Sequence, residues 1–227
     1  MDLARISALL EPFLEAPLSE SQLDQISTYI DLLLRWNARF NLTAIRDPEQ
    51  IVPRHFGESL FLARHLFPLT AAPRPRTTVV DLGSGAGFPA LPIKIWAPDI
   101  RLTMIESNHK KAAFLREVAR ALTLMDVDVI AGRAESVAHQ LASPGPNPPA
   151  ATPGTVRPAE VVTFRAVENF AQILPLAARF LAPNARLALL ITESQQEQLQ
   201  PIRSLSWRTI HVPESHTGIL AIGTTTT

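Results

Sequence analysis

The stretch Val79-Val80-Asp81-Leu82-Gly83-Ser84-Gly85-Ala86-Gly87-Phe88-Pro89 decides how the rest of the chain is read. An apolar run from Thr77 to Leu82 carries one carboxylate, a loop with glycine at alternate positions follows, and Pro89 to Ile95 reads as the start of a helix. Strand, tight turn and helix N-terminus in that order bring backbone N–H groups up to a ligand. Glycine serves there because the backbone must take positive φ and approach closely. The spacing is G-x-G-x-G, at Gly83, Gly85 and Gly87, and Phe88 stands where the dinucleotide fingerprint has its third glycine. The loop therefore favours a nucleoside cofactor without pyrophosphate, such as S-adenosylmethionine, over NAD; a turn of purely structural purpose is the alternative.

Downstream, Arg101 to Ile105 reads as a second strand ending in Glu106, close to the ~20-residue offset at which a carboxylate meets the ribose hydroxyls of a bound nucleoside. Glu106 can equally cap the next helix, a task Asn108 also suits.

Working outward, strands are expected at 77–82, 101–106, 127–131, 160–165 and 185–191, with helices at 90–97, 109–122, 134–142 and 169–181 between them. This alternation marks a parallel sheet covered by helices on both faces. A polar helix over 194–204 and two closing strands, 207–212 and 218–222, complete a seven-stranded, mostly parallel, Rossmann-like α/β unit. Residues 143–158 hold six prolines and read as a surface insertion. Ahead of the sheet, residues 1–76 read as a helical region: a first helix over 2–15, a second from the capping box Ser19-Glu20-Ser21-Gln22 to about Phe40, a start at Asp47-Pro48, and a helix opened by Pro53 and running to Phe67. The expected division is 1–76 helical and 77–227 Rossmann-like.

The 227 residues are 46% hydrophobic with a formal net charge of zero, so no global field draws the chain to nucleic acid or membrane. Charge is uneven locally. Residues 1–31 carry six acids and one base, whereas residues 35–76 carry seven arginines and three acids. The absence of cysteine excludes disulfides and thiolate chemistry. With no signal-like start and no apolar run of membrane length, a soluble cytoplasmic protein is expected. Nothing in the residues calls for an oligomer, and a monomer is expected. The six histidines show no ligand spacing, so no metal site is expected.

Five blocks carry a family resemblance. Trp36-Asn37-Ala38-Arg39-Phe40-Asn41-Leu42-Thr43-Ala44-Ile45 resembles the W-N-x-x-x-N-L-T-A-I signature of the GidB/RsmG family. Arg54-His55-Phe56-Gly57-Glu58-Ser59-Leu60 is similar to that family's R-H-F-x-D-S-L, and the glycine loop to its D-x-G-S-G-A-G-F-P. Gly132-Arg133-Ala134-Glu135 and Thr163-Phe164-Arg165-Ala166-Val167 resemble two later blocks, in order and spacing across residues 20–190. Departures are Glu58 in place of Asp, Phe164 at a small-residue position, a longer proline-rich connection, and a region after Ile191 without the family's lysine-glycine ending of the fifth strand and its basic tail.

The resemblance implies a class I S-adenosylmethionine-dependent methyltransferase with an N-terminal helical extension, acting on guanine N7 in 16S ribosomal RNA or the small-subunit particle, at guanine 527 of that RNA. It places Gly83, Phe88, Ala134, Glu135 and Arg165 at cofactor-binding positions. The residues themselves add Asp81, Gly85, Gly87 and Glu106. Phe88 offers a flat apolar surface or is an ordinary core ring. Glu135 reads the cofactor or is a first-turn helix acid. Arg165 orients a carboxylate or phosphate or forms a surface ion pair. Arg35, Arg39, Arg46, Arg54, Arg64, Lys110, Lys111 and Arg116 are candidates for RNA phosphate contacts, or a solvated basic face. Trp36, Asn37 and Asn41 are expected to brace the joint between helices and sheet. Guanine N7 has no proton to lose, so no general base is expected, and His55 and His65 are assigned to packing or surface. The runners-up are a methyltransferase for another RNA or a small molecule, and an RNA-binding module without activity.

Overall fold

The computed structural model describes residues 1–69, 76–141, 156–165, 170–199 and 205–225. Most of the proline-rich insertion, the linker before the first strand and Ala166 to Asn169 lie outside the described residues. Strands β1 (Thr78–Leu82), β2 (Arg101–Glu106), β3 (Val127–Ala131), β4 (Ala159–Arg165), β5 (Leu181–Thr192), β6 (Leu205–His211) and β7 (Gly218–Thr225) form one sheet in the order β3-β2-β1-β4-β5-β7-β6. The first five pair in parallel, and β7 runs antiparallel between β5 and β6. The chain leaves β1 toward β2 on one side and returns to β4 on the other. This switch of direction opens a crevice above the C-terminal ends of β1 and β4.

Strand parity divides the core in two. Val79, Val161, Ala188 and Leu190 face one way, into a cluster shared with the N-terminal helices; Val80, Val162, Leu187 and Leu189 face the other. Such apolar neighbours are what a strand covered on both faces requires. Because side chains alternate along a strand, Asp81, Thr163 and Arg165 fall on the first face, under the N-terminal helices.

Those helices are α1 (Leu3–Leu10), α2 (Glu20–Phe40), α3 (Pro48–Ile51) and α4 (Glu58–Leu66). The capping box at Ser19 and Gln22 starts α2, and Asn41 ends it in the left-handed region at φ 45. Here the sequence expectation of a break before Pro53 is corrected. Val52–Gly57 forms a π-helical turn that carries α3 into α4 without interruption, and the Glu58 N–H donates to the Pro53 carbonyl five residues back. The wider turn relieves the clash that a proline ring makes inside an α-helix. It also brings Arg54, His55 and Glu58 within reach of one partner, described below.

On the sheet side are α5 (Ala90–Trp96), α6 (His109–Ala121), α7 (Ala134–His139), α8 (Phe170–Ala178) and the short α9 (Glu193–Gln196). One expectation ran too long: the helix expected to reach residue 142 ends at His139. Of the polar helix expected over 194–204, the described part is α9 followed by a 3-10 turn to Leu199, and residues 200–204 lie outside the described residues. Strand β5 begins four residues earlier than expected, because Leu181 pairs with Ala159 across an irregularity in β4.

Candidate active site

Asp81, at the end of β1, is fully buried. Its Oδ1 accepts a 2.6 Å hydrogen bond from the hydroxyl of Thr163, its register partner on β4. Its Oδ2 is buried without a partner among the described residues. Burial pushes this carboxyl up to about 7; the Glu106 charge adds to the rise, and the hydroxyls of Ser84 and Thr163 and the Arg165 charge oppose it. A buried acceptor left open is costly and calls for a ligand group that fills it.

Four N–H groups of the glycine loop are already engaged within the protein. Gly83 and Ser84 both donate to the Ile105 carbonyl, Gly87 donates to Ser84, and Gly85 donates to Glu106 Oε2 at 2.8 Å. Gly85 and Gly87 lie at φ 56 and 92. The other Glu106 oxygen accepts from the Asn108 N–H at 2.8 Å, while Asn108 caps α6 through Lys110 and Lys111. Glu106 thus fastens the loop to the start of α6, and its carboxylate keeps lone pairs for further donors. Two carboxylates beside a loop with four of its N–H groups engaged suit a cationic ligand better than a pyrophosphate.

Phe88 is packed on both faces. Its ring stacks on Tyr29 at 5.2 Å and on His55 at 4.7 Å, with Phe56 edge-on at 5.1 Å. The core reading of Phe88 therefore accounts for its ring. The Tyr29 hydroxyl donates to the Ala86 carbonyl, tying α2 to the loop.

Arg165 ends β4 with its side chain 15% exposed. One Nη donates to the Arg54 carbonyl at 2.9 Å and to Glu58 Oε2 at 3.2 Å; the other meets His55 Nδ1 at 2.5 Å. A guanidinium only donates, so His55 Nδ1 is the acceptor and Nε2 carries the proton. Nε2 then donates to the Thr43 hydroxyl at 2.8 Å, and Thr43 exchanges two backbone bonds with the Asn37 side chain. Burial, with the Arg165 charge in support, lowers the His55 pKa to about 3 and keeps the ring neutral. Burial raises the Glu58 pKa, against the pull of Arg165 and Arg54. Asn37, Thr43, His55, Glu58 and Arg165 form one polar chain from α2 to β4. Of the packing and surface readings of His55, packing fits its buried position against the Phe88 ring, and the residue has a place in this polar chain besides. The signal that sequence reading passed over was a histidine inside the turn opened by Pro53, in the same stretch as Glu58.

Ala134 and Glu135 open α7 after β3, on the far side of β2, with Ala134 buried and Glu135 exposed. Among the cationic candidates, Arg54 pairs with Glu58, Arg64 lies near Glu15 and Phe61, and Arg116 donates to the Val129 carbonyl. Arg46 donates to Asn41 Oδ1 and Lys110 lies over the Phe40 ring, beside the crevice, with Arg35 and Arg39 exposed on the same end of α2. Lys111 opens α6 next to Lys110.

A glycine loop at the switch point of a sheet in this order, with an acid ending the second strand, defines the Rossmann-like methyltransferase fold. Solved structures agree: an S-adenosylmethionine-dependent methyltransferase from Aquifex aeolicus aligns with a TM-score of 0.53 at 14% identity, covering 82% of this chain and 97% of that one. A precorrin-6y C5,15-methyltransferase from Geobacter metallireducens aligns with a TM-score of 0.53 at 13% identity, over 74% and 88%. The particular family follows from sequence. Residues 22–214 match the GidB model, rRNA small subunit methyltransferase G, and the chain belongs to that family. Ribosomal RNA small subunit methyltransferase G of Chloroflexus aggregans is 43% identical over 177 residues, covering 75% of this chain and 67% of that protein. The Neisseria gonorrhoeae protein of the same name is 35% identical over 72% of this chain and 68% of its own length. Other relatives are matched over about half their length, as with 48% of the Exiguobacterium protein.

Proposed function

We propose that this chain methylates guanine N7 in 16S ribosomal RNA, at guanine 527 as in its family, using S-adenosylmethionine, and that it does so in the cytoplasm. The observation that carries the reading is the meeting of the family's separate blocks at one place. Asn37 and Thr43 from the first, His55 and Glu58 from the second, Phe88 from the glycine loop and Arg165 from the last form a single contact network at the crevice.

The residues suit the cofactor. The open Asp81 Oδ2 is an acceptor for an ammonium group, and the spare lone pairs of Glu106 are acceptors for ribose hydroxyls. The start of α7, at Ala134 and Glu135, would hold the adenine end. Gly83, Gly85 and Gly87 shape the loop beneath it, and Phe88 supports the loop from within the core. Bound S-adenosylmethionine supplies an electrophilic methyl group on a sulfonium. Guanine N7 presents a lone pair and no proton, so the protein's task is alignment and exclusion of water. His55, neutral throughout the physiological range, takes no part in proton transfer. Arg165 has N–H groups beyond its three bonds, and with Glu58 and His55 fixing its plane it orients a carboxylate or phosphate at the crevice.

The test is product mapping. Small-subunit RNA from cells lacking this chain should lose N7 methylation, and supplying the chain again should restore it. Arg165→Ala should fail to restore it, with turnover down by ~100-fold or more if alignment is the main contribution, while far-UV circular dichroism stays that of the parent. Unchanged N7 methylation in the deleted strain overturns the reading; wild-type turnover in the variant removes Arg165 from the site.

A further inference from the structure

Phe40, the last residue of α2, is one of three large apolar side chains left exposed among the described residues, at 37%. Its ring is held in place from behind. Trp36 lies 5.2 Å from it and 5.5 Å from the buried Phe114, which lies 6.2 Å from Tyr29, itself stacked on Phe88. An unbroken series of aromatic rings therefore runs from the glycine loop out to Phe40.

The surroundings are cationic. The Lys110 ammonium sits 5.1 Å above the Phe40 ring. Arg46 is fixed to Asn41, the next residue along from Phe40. A groove of about 730 Å³ runs beside the ring, lined by Arg35, Trp36, Ala38, Arg39, Phe40 and Glu117, with Glu117 its one acid. Its volume lies within the roughly 300–1,000 Å³ of small-ligand sites. The patch is close to the chemistry, since Lys110 stands two residues past Asn108, which Glu106 ties to Gly85.

We propose that Phe40 is a platform on which a single-stranded RNA base stacks, flanking the guanine that is methylated, and that Lys110 leaves its place over the ring to meet a phosphate when the base arrives. The proposal rests on the RNA reading above and adds the contact that registers the strand. An exposed ring among cations is the composition of single-strand binding surfaces, where stacking supplies affinity and cations follow the backbone. A ring braced by Trp36 and Phe114 loses little freedom when the base docks.

The experiment measures binding of a small-subunit ribosomal RNA fragment to the full chain by fluorescence anisotropy across a salt series, without cofactor. Phe40→Ala is expected to weaken binding ~10-fold with the salt dependence unchanged, because a stacked base is lost and no phosphate contact is. Phe40→Leu keeps bulk against Trp36 and should weaken binding similarly, while Phe40→Trp should retain it. Lys110→Ala should lower the slope of log affinity against log salt by about 0.7–0.9. Binding by Phe40→Ala within twofold of the parent, equal binding by the leucine and tryptophan variants, or no RNA binding by the parent chain would each overturn the proposal. RNA binding that depends on Phe40, joined to absence of N7 methylation, would sustain the platform and sink only the reaction proposed for the site.

Discussion

Gly87→Ala is expected to destabilise the chain by about 3–5 kcal/mol, the sum of backbone strain and overpacking. Gly87 lies at φ 92, outside the region where a side chain rests easily, and a Cβ built there runs into the Tyr29 hydroxyl, into Leu91 Cδ1 at 2.6 Å and against Leu115 Cδ2 at 3.1 Å. None of the three can yield cheaply. Tyr29 is fully buried between Phe88 and Phe56 and bonded to Ala86, and Leu91 and Leu115 are buried core residues. Against a total stability of ~5–15 kcal/mol, the loss should lower the midpoint of thermal unfolding by ~8–15 °C. Gly85→Ala is the control. Gly85 has φ 56, but the nearest atom to its Cβ is the Gly83 carbonyl oxygen at 3.8 Å, so only the backbone penalty of ~1–2 kcal/mol applies. Equal losses in the two variants, measured by urea titration, would show that Tyr29 does not press on the loop as described.

This contrast shows what the sequence could and could not convey. The three glycines were readable as positions of positive φ, and their place between β1 and α5 was fixed by the switch from an apolar run to a helical one. Their purpose was only half readable. Gly87 serves a ring fifty-eight residues earlier in the chain, and no local pattern carries that information. The same holds for Phe88 and Arg165. Each was legible as a residue near the crevice, yet its partners come from α2 and from the π turn, and a π turn has no periodic signature when Pro53 announces a break. Strands β1 to β4 were legible almost to the residue because strands covered on both faces are written as continuous apolar runs. The end of α7 was not, since a short helix stops where tertiary contacts stop. Asp81 lies between these cases. Its place at the head of β1 was plain, but its unpartnered oxygen depends on Thr163 filling one side alone.

Asp81→Asn is expected to lower S-adenosylmethionine affinity by ~30-fold or more, the effect of removing one member of a buried charge pair. The same substitution should alter stability in the opposite sense, and pH separates the two. A carboxyl raised from 3.8 to about 7 in the folded chain binds its proton more tightly folded than unfolded. Its contribution is present in full below pH 3.8, falls as pH rises and is gone above about 7, with a ceiling of ~4 kcal/mol. Glu58, also raised by burial, slopes the same way. His55 slopes oppositely: lowered from 6.5 to about 3, it adds stability as pH rises through that interval. The difference between parent and Asp81→Asn removes both. The parent should lose stability relative to the variant between pH 5 and pH 7.5, by denaturant titration at each pH. Binding a cation beside Oδ2 favours the ionised carboxylate, so cofactor binding near pH 7 should release about half a proton. Calorimetry in two buffers of different ionisation enthalpy reads that release directly, and Asp81→Asn should abolish it. A pH-independent affinity in the parent, with no buffer dependence of the heat, would mean that the cofactor's ammonium is held elsewhere and that the open oxygen of Asp81 serves some other group.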